Sequence, residues 1–461
     1  MPGQGLPLRV RAGTGAPARR RPGADPADEH PPAHRTADLR GAGEPGPAAL
    51  DGRTGGCAAP HRPGGGPVIP LPEGPVPATA DAVIVGGGIN GLAIAYELAR
   101  RGMKRLVVLE RDYLGSGSTG RCGGGIRQQW TTAENIRLAQ ESVAAFEHLA
   151  GELGLQTFFR QGGYLMVTED ESHLDSLRKA VALQNSCQVP SRYLEPRECL
   201  DIVPQLDISR LKGATFCQKD GTAYPFSVVW GYAKAATRRG VRIFIRTRLL
   251  EVRHDGDRIT GVLTDRGEIS TPLLINCAGP WSRSLAAMVG VQLPNRQERH
   301  EIMVSESCKP FLDPMVISIS DGIYFSQSMR GEIVGGIGDP DEPHWDRPAQ
   351  FDTRSQLRFA VRFARALTAY WPPARKLRLM RQWAGMYDVT PDHRPILGGV
   401  PGLEGYQMAC GYSGHGFMLA PMAASRLAKQ ITGGGPDAII DSLSLARFSR
   451  GDIEADAFVV G

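Results

Sequence analysis

Asp81-Ala-Val-Ile-Val-Gly86-Gly-Gly88-Ile-Asn-Gly91 is the stretch on which the reading of this chain turns. Asp81 to Val85 is a short apolar run rich in β-branched residues, as expected of a strand buried on both faces. Leu92-Ala-Ile-Ala-Tyr-Glu-Leu-Ala-Arg100 follows with helical spacing, and Leu106-Val-Val-Leu-Glu110 is a second strand whose terminal acid lies 19 positions after Gly91. Each turn residue has a physical task. Gly86 permits the tight turn, Gly88 lets a pyrophosphate approach the backbone, and Gly91 lets helix and strand pack closely. The helix start, with its free N–H groups, then faces the phosphates, and Glu110 can accept hydrogen bonds from a ribose. The predicted fold class is α/β, opened by a Rossmann-like dinucleotide-binding unit. The motif by itself leaves FAD and NAD both open.

Outward from this stretch, composition divides the 461 residues in two. The first 80 hold 16 of the 35 Pro, 15 of the 57 Gly, 9 Arg, no Lys and none of the 31 aromatics. Such a stretch cannot bury enough apolar surface to offset chain entropy, so residues 1–79 are expected to be a disordered Pro/Gly/Arg-rich extension. Its acids, Asp25, Asp28 and Glu29, and its prolines argue against an amphipathic targeting helix, and it has no continuous apolar run of a secretory signal. Net charge is +5 over the chain, and the extension carries +2 of it, so a nucleic-acid partner is not expected. No run of about 18 apolar residues occurs, and no membrane span is expected. The eight cysteines are scattered without a CxxC pair, which fits reduced thiols in a cytoplasmic protein and offers no metal site.

Farther along, Val228 to Arg239 reads as a helix and Val241 to Arg246 as a strand. Leu249 to Val252 and Ile259 to Thr264 read as a meander about Asp255-Gly-Asp257. Leu273 to Asn276 is a further buried strand, ending in Cys277-Ala-Gly279-Pro-Trp281-Ser. Strand-like runs such as Glu301–Ser305 and Gly322–Ser326 fill a mixed region holding one helix, Ser355 to Tyr370. Cys410-Gly-Tyr-Ser-Gly-His-Gly-Phe417 opens a helix reaching about Ile431, stopped by Gly433-Gly434-Gly435.

Four segments, Val83–Glu110, Gly115–Trp130, Asn276–Ser282 and Gln382–Phe417, resemble the D-amino-acid-oxidase-like flavoprotein family. The resemblance is strongest to the β-type subunits of heterotetrameric sarcosine oxidase and to proline and hydroxyproline dehydrogenase subunits. Its most specific pieces are Gln382-Trp-Ala-Gly-Met-Tyr-Asp-Val-Thr-Pro-Asp392 and Gly411-Tyr-Ser-Gly-His-Gly-Phe417. His300-Glu-Ile-Met-Val-Ser-Glu306 and Gly322-Ile-Tyr-Phe-Ser-Gln327 belong with them. The resemblance implies FAD as cofactor and a glutathione-reductase-type, discontinuous FAD-binding domain under a strand-rich α+β substrate domain. The corresponding expectation is an FAD domain from 80–165, 222–290 and 385–435, a substrate domain from 166–221 and 291–384, and a C-terminal tail at 436–461.

The resemblance also implies roles. Cofactor-binding positions would be Gly86, Gly88, Ile89, Asn90 and Gly91, then Glu110 and Arg111, then Ser118, Gly123 and Gly124. Leu249, Ala278, Gly279, Trp281 and Gly385 would follow, with Gly414, His415, Gly416, Phe417 and Met418 at the last helix start. There a helix N-terminus would stabilise the negative charge that a flavin gains on reduction. Arg127 aligns with a carboxylate-binding arginine and suits that role by its planar fork, while Tyr324 and His300 are expected to line the substrate side.

Departures from the family pattern narrow the expectation. Met418 stands where monomeric sarcosine oxidases carry a carboxylate-binding lysine. Gly385 and Arg121 occupy positions where relatives attach FAD through cysteine or histidine, so FAD is expected to be non-covalent. The segment Ala223-Tyr-Pro-Phe-Ser227 lacks the histidine that carries FMN in heterotetrameric sarcosine oxidase, so an FMN at a subunit interface is allowed but not predicted. Ile333 stands where the monomeric enzymes have an oxygen-activating lysine, which favours a dehydrogenase or a slow oxidase.

The expected activity is FAD-dependent oxidation of a secondary or N-methyl amino acid, sarcosine- or proline-like. Alternatives are an oxidase or dehydrogenase of glycine or a D-amino acid, and a non-catalytic FAD subunit. The expected partners are a small amino-acid substrate and an α-type subunit or another electron acceptor.

Overall fold

The computed structural model describes residues 69, 71–341, 354–451, 453 and 455. Most of the proposed N-terminal extension lies outside these residues. Strand Ala82–Val85 is the centre of a nine-stranded sheet and pairs in parallel with Leu106–Leu109 on one side and Leu274–Asn276 on the other. Arg242–Phe244 extends the sheet beyond Leu106–Leu109, and Leu403–Cys410 extends it beyond Leu274–Asn276, both in parallel. One sheet is thus assembled from distant pieces of the chain. Its central strands are buried almost throughout, and so they read as unbroken apolar runs.

Helices Ile89–Arg100, Ala133–Leu153, Pro225–Arg238 and Gly416–Ile431 share a core with one face of this sheet. Leu92, Tyr96, Phe146, Val228, Phe417 and Leu427 belong to that core. The strands Leu249–Asp255, Arg258–Thr264 and Gly267–Ser270 form the expected meander at its edge.

The second sheet has eight strands. Leu379–Val389 lies at one edge and is followed by Arg296–Ser307, Glu332–Ile337, Ile323–Gln327 and Met315–Ser318. Tyr164–Thr168, Gly213–Cys217 and Arg192–Leu194 complete it. Helix Leu357–Tyr370 buries Phe359, Phe363, Leu367 and Tyr370 against it. The α/β class with a second, strand-rich part is therefore as expected.

Local departures have local causes. The strand predicted to reach Arg246 stops at Phe244, because Arg246 takes φ 49° and leaves extended geometry. The helix predicted from Val228 starts at Pro225, whose fixed φ suits a first helical position. The last long helix begins only at Gly416, since Gly411, Ser413 and Gly414 all have positive φ.

Beyond Gly435 the chain forms helices Ala438–Ser442 and Arg447–Arg450. The first is capped by Asp437, whose carboxylate accepts from Ile439 N (3.0 Å) and Ile440 N (3.2 Å). Arg447 is fully buried and forks onto Asp392, with Nε to Oδ2 at 2.6 Å and Nη2 to Oδ1 at 3.0 Å. It also donates to the carbonyls of Leu443 (2.7 Å) and Arg394 (2.8 Å). Burial works against the Asp392 carboxylate, but the Arg447 hydrogen bonds and charge outweigh it and hold its pKa below the ordinary value. Replacing Arg447 with Met would strand Asp392 in the interior. A loss of about 3–5 kcal/mol is expected, readable by denaturant unfolding. An unchanged unfolding midpoint would contradict this assignment.

Candidate cofactor and substrate site

The first turn shows why its glycines stand where they do. Gly86 has φ 117°, and a β-carbon there would sit 2.3 Å from the Cys277 carbonyl oxygen. A β-carbon at Gly91 would lie 2.0 Å from the Gly86 carbonyl oxygen. Strand end, helix start and the neighbouring Cys277 loop therefore meet at backbone contact. Glu110 secures the turn from the side, with Oε2 accepting from Gly87 N (2.7 Å) and Oε1 from Asp112 N (2.8 Å) and Ser116 Oγ (3.1 Å). Burial raises the Glu110 pKa, opposed by these three donors.

Along this turn runs a cavity of about 640 Å³, well within the size range of ligand clefts. Its wall includes Gly86, Gly88, Ile89, Asn90, Glu110, Arg111, Ser118 and Leu249. Ala278, Gly279, Trp281, Gly414, Gly416 and Phe417 complete the expected residues found there. Two helices start at this wall, Ile89–Arg100 and Gly416–Ile431, and Asn90 ties them by donating from Nδ2 to the Gly416 carbonyl (3.3 Å). Neither start is capped by its own N-cap side chain or has an acid in its first turn, and at the first Thr119 Oγ1 accepts from Ile89 N (3.3 Å). Both present a positive dipole end to the space between them, and past Ile89 the first turn of the first helix keeps N–H groups for a ligand. Among the described residues, nothing hydrogen-bonds Asn90 Oδ1 or the Tyr412 hydroxyl, both buried on wall residues. Helix starts, a ribose-ready acid and a long cleft fit the anionic, polar and flat parts of FAD.

Six of the expected cofactor residues are absent from the wall. Gly91 acts through packing, as above. Gly124, at φ 75°, would bring a β-carbon 2.1 Å from the Ala223 carbonyl oxygen, and Gly123 faces the Tyr324 ring. Gly385 makes room for Arg121, whose β-carbon would be 3.2 Å from one added there. His415 and Met418 are buried, with Met418 among the apolar side chains of the first core.

The three expected catalytic residues are also absent from the wall and lie behind it. Arg127 is 2% exposed. Its guanidinium lies 3.9 Å over the Trp130 ring, donates to the Gln129 carbonyl (2.5 Å) and reaches His415 Nε2 at 3.5 Å. His415 packs edge-on against Trp130 at 4.4 Å, and burial, reinforced by the Arg127 charge, pushes its pKa far down. His300 stacks on Tyr387 at 3.9 Å. Loss of solvation, then the Arg299 charge, lowers it to about 4, so it is neutral at pH 7 and cannot pair with a carboxylate as a cation. Burial, and beside it Tyr387, raises the Tyr324 pKa far above the ordinary range.

Tyr387 is thus the residue that carries the Tyr324–His300 layer to the wall, and the sequence reading did not single it out. Its signal was alternation from Gly385 along a strand, inside a run quoted only as a family marker. Asp388, Met386, Cys122, Thr119, Thr247, Arg248, Tyr412 and Ser413 are further wall residues not foreseen. Ser118 Oγ donates to the Met386 carbonyl (2.6 Å), tying the loop before Thr119 to the second sheet at the cavity. Burial pushes the Cys122 thiol up to about 11, so it is protonated at neutral pH. Among the described residues no group of His, Cys, Asp and Glu is placed to hold a metal.

The family model described as FAD dependent oxidoreductase matches residues 81–430. The sarcosine oxidase subunit beta of Rhodobacter capsulatus is 31% identical over 386 residues, covering 83% of this chain and 91% of that one. The human mitochondrial sarcosine dehydrogenase is 29% identical over 390 residues, covering 82% of this chain and 42% of that longer protein. Among solved structures, L-proline dehydrogenase from P. horikoshii superposes with a TM-score of 0.77 at 34% identity, covering 82% of this chain and all of that one.

Replacing Gly91 with Ala would force the helix start away from Gly86. FAD affinity is expected to fall by at least roughly tenfold, about 1.4 kcal/mol, read from flavin absorbance per protein after gel filtration. Full flavin content in that variant would contradict the packing role of Gly91.

Proposed function

We propose that this chain, which belongs to the FAD-dependent oxidoreductase family acting on amino acids and amines, oxidises a secondary or N-methyl amino acid of the sarcosine or proline type. The observation that carries the reading is the cavity at the meeting of the two sheets, with helix starts on one side and Tyr387, backed by Tyr324 and His300, on the other. The first sheet with its helices would be the FAD-binding part and the second sheet the substrate part. Bound FAD would accept at N5 a hydride from the carbon beside the amine nitrogen, and the imine product would hydrolyse in water.

The chain's own residues would bind and orient the substrate. Arg127 is the proposed partner of its carboxylate, lying beside His415, the residue between wall residues Gly414 and Gly416. Its clasp by Trp130 and Gln129 holds the fork in one place, which favours an oriented carboxylate over a mobile one. Neutral His300 and the Tyr324–Tyr387 pair would surround an uncharged amine without adding a competing cation. FAD would be held without a covalent bond, since Gly385 offers no sulfur and Cys122 is a protonated thiol.

Anaerobic addition of sarcosine or L-proline to the holoprotein should bleach its visible flavin absorbance. Bleaching by glycine or D-alanine alone would overturn the secondary-amine reading. Replacing Arg127 with Met should leave flavin content unchanged and lower kcat/KM by roughly 10–100-fold, the worth of a charged hydrogen bond of about 1.5–3 kcal/mol. Unchanged kcat/KM in the flavin-loaded variant would overturn the carboxylate role of Arg127.

Electrons would leave through an α-type partner subunit or another acceptor, as the buried Ile333 offers no cation to draw oxygen. Reduced enzyme mixed with air-saturated buffer should reoxidise slowly in stopped flow; rapid reoxidation would overturn this. No helix among the described residues is long and apolar enough to cross a membrane. The seven described cysteines are free, and a cytoplasmic location is part of the proposal.

A further inference from the structure

Asp388 is a residue of the wall of the cavity proposed for FAD, with Tyr387, Ser413 and Gly414. It is 7% exposed, and among the described residues no cation pairs with it. Its hydrogen-bond donors are neutral: the Asn295 side-chain amide on Oδ1 and Gly411 N–H, at 2.7 Å, on Oδ2. Its own carbonyl accepts from Ser413 N at 2.9 Å, so the strand end is bound to the turn that opens helix Gly416–Ile431. A buried carboxylate without a cation is costly, and such groups answer to nearby charge by changing protonation.

The groups facing it leave that response open. On its own strand the titratable neighbour is Tyr387. Across the second sheet its register partner is Gln297, flanked by Arg296 and Glu298, whose side chains are directed to each other at 3.2 Å. The glycine turn brings Tyr412 and His415, and the strand before it brings Cys410, whose thiol is held protonated by burial and then by the Asp388 charge. Burial, against its two donors, pushes Asp388 itself up to about 7.

We propose that Asp388 is the proton-accepting group linked to flavin reduction in this protein, taking up a proton when the bound cofactor gains negative charge. Two-electron reduction at an electrode then consumes two protons from water, one on the flavin and one on the Asp388 carboxylate, which becomes a neutral carboxyl, and no other bond changes. With substrate the flavin's hydrogen arrives as the hydride and only the Asp388 proton is taken from water. Asp388 thereby keeps the net charge of the cavity constant through the half-reaction. When the electrons pass to the acceptor, both protons return to water. The inference rests on FAD filling this cavity and is independent of which amine is oxidised.

The test is a spectroelectrochemical titration of the holoprotein's flavin from pH 5.5 to 9. Each proton taken up per two electrons changes the equilibrium tenfold per pH unit, or 29.6 mV. Wild type should show a potential that falls by about 60 mV per pH unit in a window at and above neutrality, and by about 30 mV per pH unit beyond it. In Asp388→Asn, with flavin content verified, the steeper window should vanish. In Asn295→Leu, which removes a donor that favours the carboxylate, the window should move to higher pH. A wild-type slope of about 30 mV throughout would overturn the proposal without any variant. A break unchanged in both variants belongs to the flavin and overturns it equally. A chain with no flavin absorbance would remove the cofactor reading itself, and this proposal with it.

Discussion

The start of helix Ile89–Arg100 lies against the end of strand Ala82–Val85 so closely that a single β-carbon at Gly91 would meet the Gly86 carbonyl at 2.0 Å. Everything that makes the site depends on this contact. It sets the height of the helix start above the sheet, and so where its free N–H groups point. It also lets Gly86 touch the Cys277 carbonyl, which fixes the loop carrying Ala278 to Trp281 into the same wall. Glu110 then clamps the turn through Gly87 N–H, so one buried carboxylate serves both the wall and its scaffold.

The second sheet reaches this wall by one strand. Leu379–Val389 pairs along its length with Arg296–Ser307, and Asp388 near its end also accepts from Gly411 N and Ser413 N of the glycine turn at Gly411–Gly416. A β-carbon at Gly414 would fall 2.7 Å from the Tyr387 ring, so the turn and the strand are shaped to each other. The layer formed by His300, Tyr324 and Tyr387 is neutral at pH 7, whereas the Arg127 guanidinium reaches His415 at the helix start.

Two buried carboxylates a few residues apart show how partner chemistry decides protonation. Asp392 faces the Arg447 fork and stays ionised, fastening the C-terminal helices to the loop after the strand. Asp388 faces an amide and a backbone N–H, and its ionisation lies near neutrality. The first is a structural clasp. The second is free to respond to the cavity beside it.

The nucleotide-binding opening was legible in the sequence because its demands are local: a buried strand, glycines where backbones touch, a helix, and an acid at fixed spacing. Fold class and FAD followed from segments that resemble a family. The end of the strand at Phe244, forced by the backbone of Arg246, was not legible, nor was the buried fork of Arg447, a residue read as part of a tail. Arg127, His300 and Tyr324 could be named from the sequence, but their place behind the wall, and Tyr387 and Asp388 in it, depended on how two sheets distant in sequence meet. Local spacing determines which backbone groups a turn can offer a phosphate. Which side chains share a cavity, and whether a buried carboxyl finds a guanidinium or only an amide, is decided by contacts across hundreds of residues that no local pattern records.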